Sequence, residues 1–392
     1  MKKLAVVGIG SAGIQALCHF LAWIDNNWQI TSIHDPDTKI LGIGESTNAS
    51  FISAIEYGLN FDIIKDLDAL NATHKFGTKF IEWREDDIIN PLISGTVAIH
   101  FDTYKLKQFA FNRFKHLWKD KFDELQGKVS DIINYNNKAI VIVDGKEFAF
   151  DYVIDCRGFP KSLNNDYTII QGNPVNYGLV HNIPRSADWK YTHHTATKDG
   201  WMFSLPLQTR ESYGYMFNTN ITDIETARKN FSEQIGVPVD KLQNIEYSFK
   251  SYYCNNITDG KIIKNGNAAV FFEPMFANSL SLYDSINRIT YDYILEKPKN
   301  YNEIFVNIAK KIEEMICYFY HGGSVHNTNF WRYAKDYSLD RLQTSENLKN
   351  TTIQLKENSK LQYYTNDDNW VFSQRNLKII DKNFGYNYFT YG

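Results

Sequence analysis

The chain has 392 residues, more than one compact core usually holds, so at least two lobes are expected. Hydrophobic residues make up 43%, which excludes a disordered chain, and a formal net charge of −3 gives no basic excess to favour nucleic acid as a partner. No apolar run reaches the roughly 18–20 residues that a membrane span requires.

The four cysteines, Cys18, Cys156, Cys254 and Cys317, are scattered, with no CxxC spacing for a zinc site or redox pair. They read as free thiols and point to a reducing cytoplasm. Lys2 and Lys3 before an apolar stretch resemble a secretory leader. Glycines interrupt that stretch, and no small-residue cleavage site follows before Asp25, so the segment reads as part of the fold.

Lys3 to Val7 predicts a short buried strand, Ile14 to Ile24 a helix with an apolar face, and Gln29 to His34 a second strand ending at Asp35. Between the first strand and the helix lies Gly8-Ile9-Gly10-Ser11-Ala12-Gly13, a GxGxxG turn in the context of a dinucleotide-binding unit. Gly8 allows the tight turn, Gly10 lets backbone approach a pyrophosphate, and Gly13 lets helix pack on strand. The helix start at Ser11 and Ala12 offers N–H groups and partial positive charge to the phosphates. Asp35 and Asp37 compete for the ribose hydroxyls; Asp35 is preferred because the strand ends there. The chain carries a single such fingerprint, so electrons are expected to arrive from elsewhere, on an already reduced cofactor supplied by a separate reductase, rather than through a second nucleotide site.

Further along, Leu41-Gly42-Ile43-Gly44-Glu45-Ser46-Thr47 resembles the G-x-G-E-A/S-T stretch of the flavin-dependent tryptophan halogenases. Other matches follow in family order. Ala72-Thr73-His74-Lys75-Phe76-Gly77-Thr78-Lys79-Phe80 and Trp83 resemble the stretch around the family lysine. Val153-Ile154-Asp155-Cys156-Arg157-Gly158-Phe159 is similar to the D-C-S-G-F segment, with Arg157 in place of serine. Gly200-Trp201-Met202-Phe203-Ser204-Leu205-Pro206 resembles G-W-x-W-x-I-P. Phe272-Glu273-Pro274-Met275 resembles V-E-P-L, and Asn327 to Arg332 resembles D-T-P-F-W-R. Together they cover roughly residues 3 to 335.

The resemblance implies an α/β, Rossmann-like FAD-binding fold of the flavin hydroxylase and halogenase type, with a second sheet and a C-terminal helical lobe. The expected division is an FAD-binding module at 1–175, a substrate-side sheet at 176–255, a return to the FAD module at 256–300, and a helical lobe with an extension at 301–392. The cofactor is FAD, used as FADH2 with O2 and a halide ion. Gly44, Glu45, Ser46, Asp155, Gly158, Phe272 and Pro274 would join the fingerprint in holding it. Hypohalous acid would travel to Lys75, which would present it to a small electron-rich aromatic. Pro206, Trp201 and Phe203 would lie on the substrate side, although an ordinary core role accounts equally for Trp201. If His74 to Trp83 is one strand, Lys75 and Lys79 share a face, and only the family pattern selects Lys75.

The chain departs from the family after Pro274. Where the halogenases carry L-E-S-T-G, it has Met275-Phe276-Ala277-Asn278-Ser279, so Phe276 stands in the place of the catalytic glutamate. Asn278 and Ser279 still offer N–H groups to a halide or flavin. The chain is also shorter than typical members, which implies an open site for an indole or phenol rather than a closed pocket for free tryptophan. Two rival readings follow from Phe276: a flavin monooxygenase and a catalytically silent flavin-binding protein.

Lys146 to Ile154 alternates in part as a strand leading to Asp155, and Asn265 to Phe272 reads as a turn and buried strand. Asn302 to Tyr320 carries Ile304, Phe305, Ile308, Ile312 and Ile316 at helical spacing. From about Thr344 the chain is polar, with Tyr363, Tyr364, Trp370, Phe384, Tyr386, Tyr388, Phe389 and Tyr391 interspersed, a pattern shared by a packed extension, an interface and a flexible end. His193-His194 lacks a third ligand at metal spacing and reads as structural or pocket-lining, so no metal is expected. Neither Ser11 nor Thr47 has a nucleophile-elbow context. An oligomer is compatible with this reading.

Overall fold

The computed structural model describes residues 1–38, 45–92, 95–346 and 380–386. Its framework is a six-stranded sheet in the order Thr258–Asp259, Ile262–Lys264, Tyr152–Asp155, Lys2–Val7, Trp28–His34, Phe122–Gln126. All neighbours are parallel except the first pair. Leu4 to Val7 are buried on both faces, as a central parallel strand requires. Helix α1 (Ser11–Trp23) follows directly and packs on α2 (Ala49–Leu59) and α5 (Ser279–Ile294).

Polar side chains stop and start these helices. Asn48 accepts from Phe51 N at 3.1 Å and caps α2, which ends on Asn60 in the left-handed region. Asp102 caps α3 (Thr103–Leu117) by accepting from Tyr104 N at 2.9 Å. The buried Lys121 ammonium closes the other end of α1, donating to Leu21 O at 2.9 Å and Ile24 O at 2.5 Å.

A second, seven-stranded sheet lies beside the first, in the order Ile245–Ser248, Tyr177–Pro184, Arg210–Phe217, Gly200–Pro206, Thr192–Thr197, Gly77–Ile81, Ile88–Pro91. Only Thr192–Thr197 and Gly77–Ile81 pair in parallel. Helix α4 (Ile224–Ile235) buries Ala227 and Phe231 against one face. In a small antiparallel sheet, Ala98–Phe101 pairs with Glu45–Ser46 on one side and Thr73–Lys75 on the other. Helices α6 (Tyr301–Tyr320) and α7 (Asn329–Thr344) pack together, so the helix expected from Asn302 begins one residue earlier.

The structure corrects three local expectations. His74 to Trp83 is not one strand: it breaks at Phe76, and its halves, Thr73–Lys75 and Gly77–Ile81, join different sheets. Gly77 makes the break with φ +147°, where a Cβ would meet Asn90 O at 2.3 Å. Lys146 to Ile154 is likewise two strands, Lys146–Phe150 and Tyr152–Asp155, parted at Asp151, whose carboxylate is drawn out to Lys138 and Lys3 N. The buried strand expected before Phe272 shrinks to Val270–Phe271 after a single helical turn at Gly266–Ala268.

Of the aromatic tail, Phe384 and Tyr386 lie within the described residues, and the other aromatics named above lie outside them. Ile380, Asp381 and Phe384 are buried, so this stretch is a packed extension. Tyr318 donates to Asp381 Oδ1 at 2.5 Å. The Arg84 guanidinium donates to Gly323 O at 2.9 Å and Phe384 O at 3.3 Å, and its carbon sits 5.1 Å from the Tyr386 ring centre.

Candidate active site

The fingerprint glycines divide by what surrounds them. A Cβ on Gly8 would meet Cys156 O at 2.4 Å, and one on Gly13 would meet Gly8 O at 1.9 Å. Those two are demanded by the protein itself. Around Gly10 a Cβ would meet nothing within 4 Å. The open cradle is therefore at Gly10, beside the start of α1, where no side chain caps the helix and no acid sits in the first turn. The N–H groups of Ser11, Ala12 and Gly13 have no intrahelical acceptor there. A pyrophosphate fits that donor set.

The remaining residues expected near a cofactor fall into four groups. Asp35 directly follows the second parallel strand, and its Oδ1 accepts from Asp37 N at 2.9 Å, with Oδ2 outside that bond. Glu45 and Ser46 lie on one short strand. Ser11 Oγ donates to Glu45 Oε1, and Thr103 Oγ1 donates to the same oxygen at 3.1 Å. Burial pushes the Glu45 carboxyl above its usual range, opposed by those hydroxyls. Gly44 lies outside the described residues. Asp155 ends its strand as expected, but its carboxylate is taken by Arg157, at 2.9 Å from Nε and 2.8 Å from Nη2. Gly158, with φ +95°, turns the chain after it. Phe272 is buried and Pro274 half-buried beside Glu273.

The two lysines that the sequence left on one face are now distinct. Lys79 is half-buried and pairs with Asp87 at 2.7 Å, a surface ion pair. Lys75 is 7% exposed, and its Nζ donates to Thr47 O at 2.9 Å. Burial alone lowers its pKa to about 8. Its neighbourhood is polar but uncharged. His100 Nε2 lies 2.8 Å from Thr192 Oγ1, which lies 2.8 Å from Ser46 Oγ. Burial first, and Lys75 second, hold His100 well below the usual histidine range.

Two of the residues expected on the substrate side, Trp201 and Phe276, meet at His194. Its ring stacks between Phe80 (5.0 Å) and Trp201 (5.1 Å). His194 Nε2 accepts from Phe276 N at 3.3 Å, so the ring proton is on Nδ1, which is buried without a partner. Burial, then Lys75 and His193, lower its pKa to about 3 and keep it neutral. Phe276 and Ala277 both have left-handed backbone, at φ 60° and 51°. Such strain costs about 1–3 kcal/mol per residue and concentrates at functional sites. The Phe276 ring packs on Phe319 at 5.2 Å, and Phe319 on Phe384 at 5.6 Å. Trp201 is fully buried and Phe203 nearly so, 6.4 Å apart. Pro206 closes the same strand, its carbonyl accepting from Thr73 Oγ1 at 2.6 Å. Asn278 is buried and donates to Met275 O at 3.0 Å, and Ser279 opens α5, whose first N–H groups lack helical acceptors.

The family model described as tryptophan halogenase matches residues 3–140 and 134–381. The chain belongs to the tryptophan halogenase family. Tryptophan 7-halogenase RebH of Lentzea aerocolonigenes is 20% identical over 431 residues, spanning 86% of this chain and 80% of RebH. Tryptophan 6-halogenase ThaL of Streptomyces albogriseolus is 19% identical over 430 residues, spanning 86% and 80%. The fold matches Xcc4156, a flavin-dependent halogenase from Xanthomonas campestris, with a TM-score of 0.81, 16% identity and coverage of 98% of this chain and 89% of that one.

Membership places the chain among the flavin-dependent halogenases, which are oxidoreductases, and implies a flavin cofactor. The residues present fit one: an open cradle at Gly10, uncapped N–H groups at α1 and an Asp35 oxygen outside the bond to Asp37 N. Among the described residues no group of histidines, cysteines and acids could hold a metal, and no helix is long and apolar enough to cross a membrane. His193-His194 splits by strand alternation: His193 stacks on Trp189, while His194 faces inward. Sequence reasoning missed Tyr320 and Glu273 as partners of Trp201, because Tyr320 lies 119 residues away at the end of a helix read only for its apolar face.

Proposed function

We propose that this chain halogenates a small electron-rich aromatic of the indole or phenol type, using FADH2 delivered by a separate reductase, O2 and a halide, with Lys75 as the catalytic residue. The observation that carries this reading is the state of Lys75: buried, without a carboxylate partner among the described residues, and with a pKa near 8. When bound, FADH2 with O2 supplies the oxidising equivalents that convert halide to hypohalous acid.

The protein's own part is to hold and present. Gly10, Ser11, Ala12, Gly13 and Asp35 would bind the dinucleotide, with Glu45, Ser46, Gly158, Phe272 and Pro274 around it, and Asp155 acting through Arg157. Lys75, poised near neutrality, donates a hydrogen bond to hypohalous acid as ammonium or takes the halogen as amine. From hypohalous acid, transfer forms the carbon–halogen bond as the oxygen–halogen bond breaks, and the ring proton leaves with that oxygen as water; from the halogenated amine, which released water when it formed, the nitrogen–halogen bond breaks and the ring proton returns to the lysine nitrogen. Trp201 and Phe203 form the wall on the substrate side, and Asn278 and Ser279 offer N–H groups to halide.

Phe276 supports a second reading, a flavin monooxygenase, because no carboxylate occupies that position. One experiment separates them: the protein with FAD, a generic flavin reductase, NADH and O2, given indoles and phenols with chloride, bromide or iodide. Halogenated mass shifts lost in Lys75→Ala support the halogenase. Halide-independent addition of oxygen replaces it with the monooxygenase, and peroxide alone with a silent flavoprotein.

A further inference from the structure

Behind the substrate-side wall, buried polar groups from distant parts of the chain form one directed relay. Trp201 Nε1 donates to Tyr320 Oη at 2.7 Å. Tyr320 Oη donates to Glu273 Oε1 at 2.7 Å, and Asn173 Nδ2 donates to Glu273 Oε2 at 3.0 Å. Trp201, Tyr320 and Glu273 are each 0% exposed. An indole nitrogen only donates, so the tyrosine oxygen accepts from Trp201, and its own proton is directed to Glu273 Oε1.

Burying a carboxyl group is costly even when it is well bonded, and an apolar core at the same place would often be as stable. What the relay adds is orientation. The hydrogen bond sets the rotation of the Trp201 ring, whose face meets His194 at 5.1 Å. A second route ties the same parts together: His194 Nε2 holds Phe276 N, three residues beyond Glu273. The Glu273 to Phe276 segment is therefore joined twice to the antiparallel pair of strands that carries His194 and Trp201, once through Tyr320 to Trp201 and once through His194. Glu273 itself sits between Phe272 and Pro274, on the cofactor side of the proposed site.

We propose that Tyr320 and Glu273 are positioning residues that set the plane of Trp201, and that this plane decides how oxidising equivalents divide between halogenation and release as peroxide. The inference rests on the halogenase reading. Release is balanced without further reactants, since FADH2 and O2 give FAD and H2O2.

The test reads the relay directly and then its consequence. In protein labelled with 15N at the indole nitrogens, the Trp201 resonance is the one lost in Trp201→Phe. In Tyr320→Phe that resonance shifts and its proton exchanges at least tenfold faster, while FAD affinity stays within twofold. With indole and bromide as probes, brominated product per NADH consumed falls at least tenfold, and peroxide makes up the difference. Glu273→Gln, whose amide oxygen still accepts from Tyr320, keeps product yield within threefold of the parent. Should Tyr320→Phe fail to fold, Trp201→Phe cuts the relay from its other end and shows the same loss. The Trp201→Phe, Tyr320→Phe double variant is no worse than the poorer single one.

An unmoved Trp201 resonance, an unchanged product yield in Tyr320→Phe, or additive losses in the double variant overturn the proposal. If the parent protein makes no brominated product at all, the halogenase reading fails, whereas the indole resonance still reports whether the relay exists.

Discussion

Replacing Lys75 by methionine removes the ammonium but keeps the length and apolar body of the stem. At pH 7 the buried lysine is below its folded pKa of about 8, so it is mostly charged, and the burial penalty is nearly complete. From 10.5 to about 8, at about 1.4 kcal/mol for each pH unit, that penalty is roughly 3 kcal/mol. Methionine removes it but leaves Thr47 O without its donor, which costs about 1 kcal/mol. The variant is therefore expected to be more stable by about 2 kcal/mol, a rise in Tm of about 2 °C for a chain of this size. The sign with pH follows from proton binding. Between about 8 and 10.5 the unfolded chain keeps the lysine proton that the folded chain has lost, so the parent gains stability across this window. The advantage of Lys75→Met should shrink over the same range and reverse above it, leaving the variant less stable by about 1 kcal/mol, the hydrogen bond to Thr47 O that the neutral amine still makes. Thermal melts from pH 7 to 10.5, read beside halogenation, check this. A variant that is less stable at pH 7, or one that keeps halogenating, refutes the reasoning: the first denies the buried charge and the second its role.

Other perturbations test the cradle, the helix end and the buried acid. Gly10→Ala should melt as the parent does, yet bind FAD at least tenfold more weakly by fluorescence titration, because its Cβ enters only space that a pyrophosphate needs; Gly13→Ala should lose stability as well, since its Cβ strikes Gly8 O. Lys121→Met should lower stability by about 1–2 kcal/mol in urea melts, as the two carbonyls at the end of α1 lose their donor. Burial raises Glu273 from 4.5 to about 8, so the stability it contributes is complete below 4.5 and is lost as pH rises through about 8. Melts of Glu273→Gln over this range should gain on the parent as pH rises, and a flat difference would contradict the raised pKa.

Local pattern made the first βαβ unit legible. Its apolar strands, glycine spacing and terminal Asp35 all arise from interactions within about 35 residues, and the structure keeps each element within a residue or a few of its expected bounds. Lys75 was legible only through the family resemblance. The period of a strand placed it with Lys79, and the break at Phe76 that sends the two into different sheets depends on Gly77 fitting against Asn90 and Pro91. Phe276 was legible as an absence of carboxylate, but its left-handed backbone and the His194 bond beneath it are tertiary. The Trp201–Tyr320–Glu273 relay had no local signal, since each member is unremarkable in its own stretch of chain. The packing of Phe384 on Phe80 at 5.0 Å likewise joins residues some three hundred positions apart.

The central claim is that the chain moves a halogen onto an aromatic ring through Lys75. The most direct measurement is the mass spectrum of indole after incubation with the protein, FAD, a flavin reductase, NADH, O2 and bromide, run beside Lys75→Ala. The account predicts a bromoindole that disappears in the variant while NADH consumption and peroxide continue. A product that persists without Lys75, or an oxygenated indole formed equally well without bromide, would contradict it.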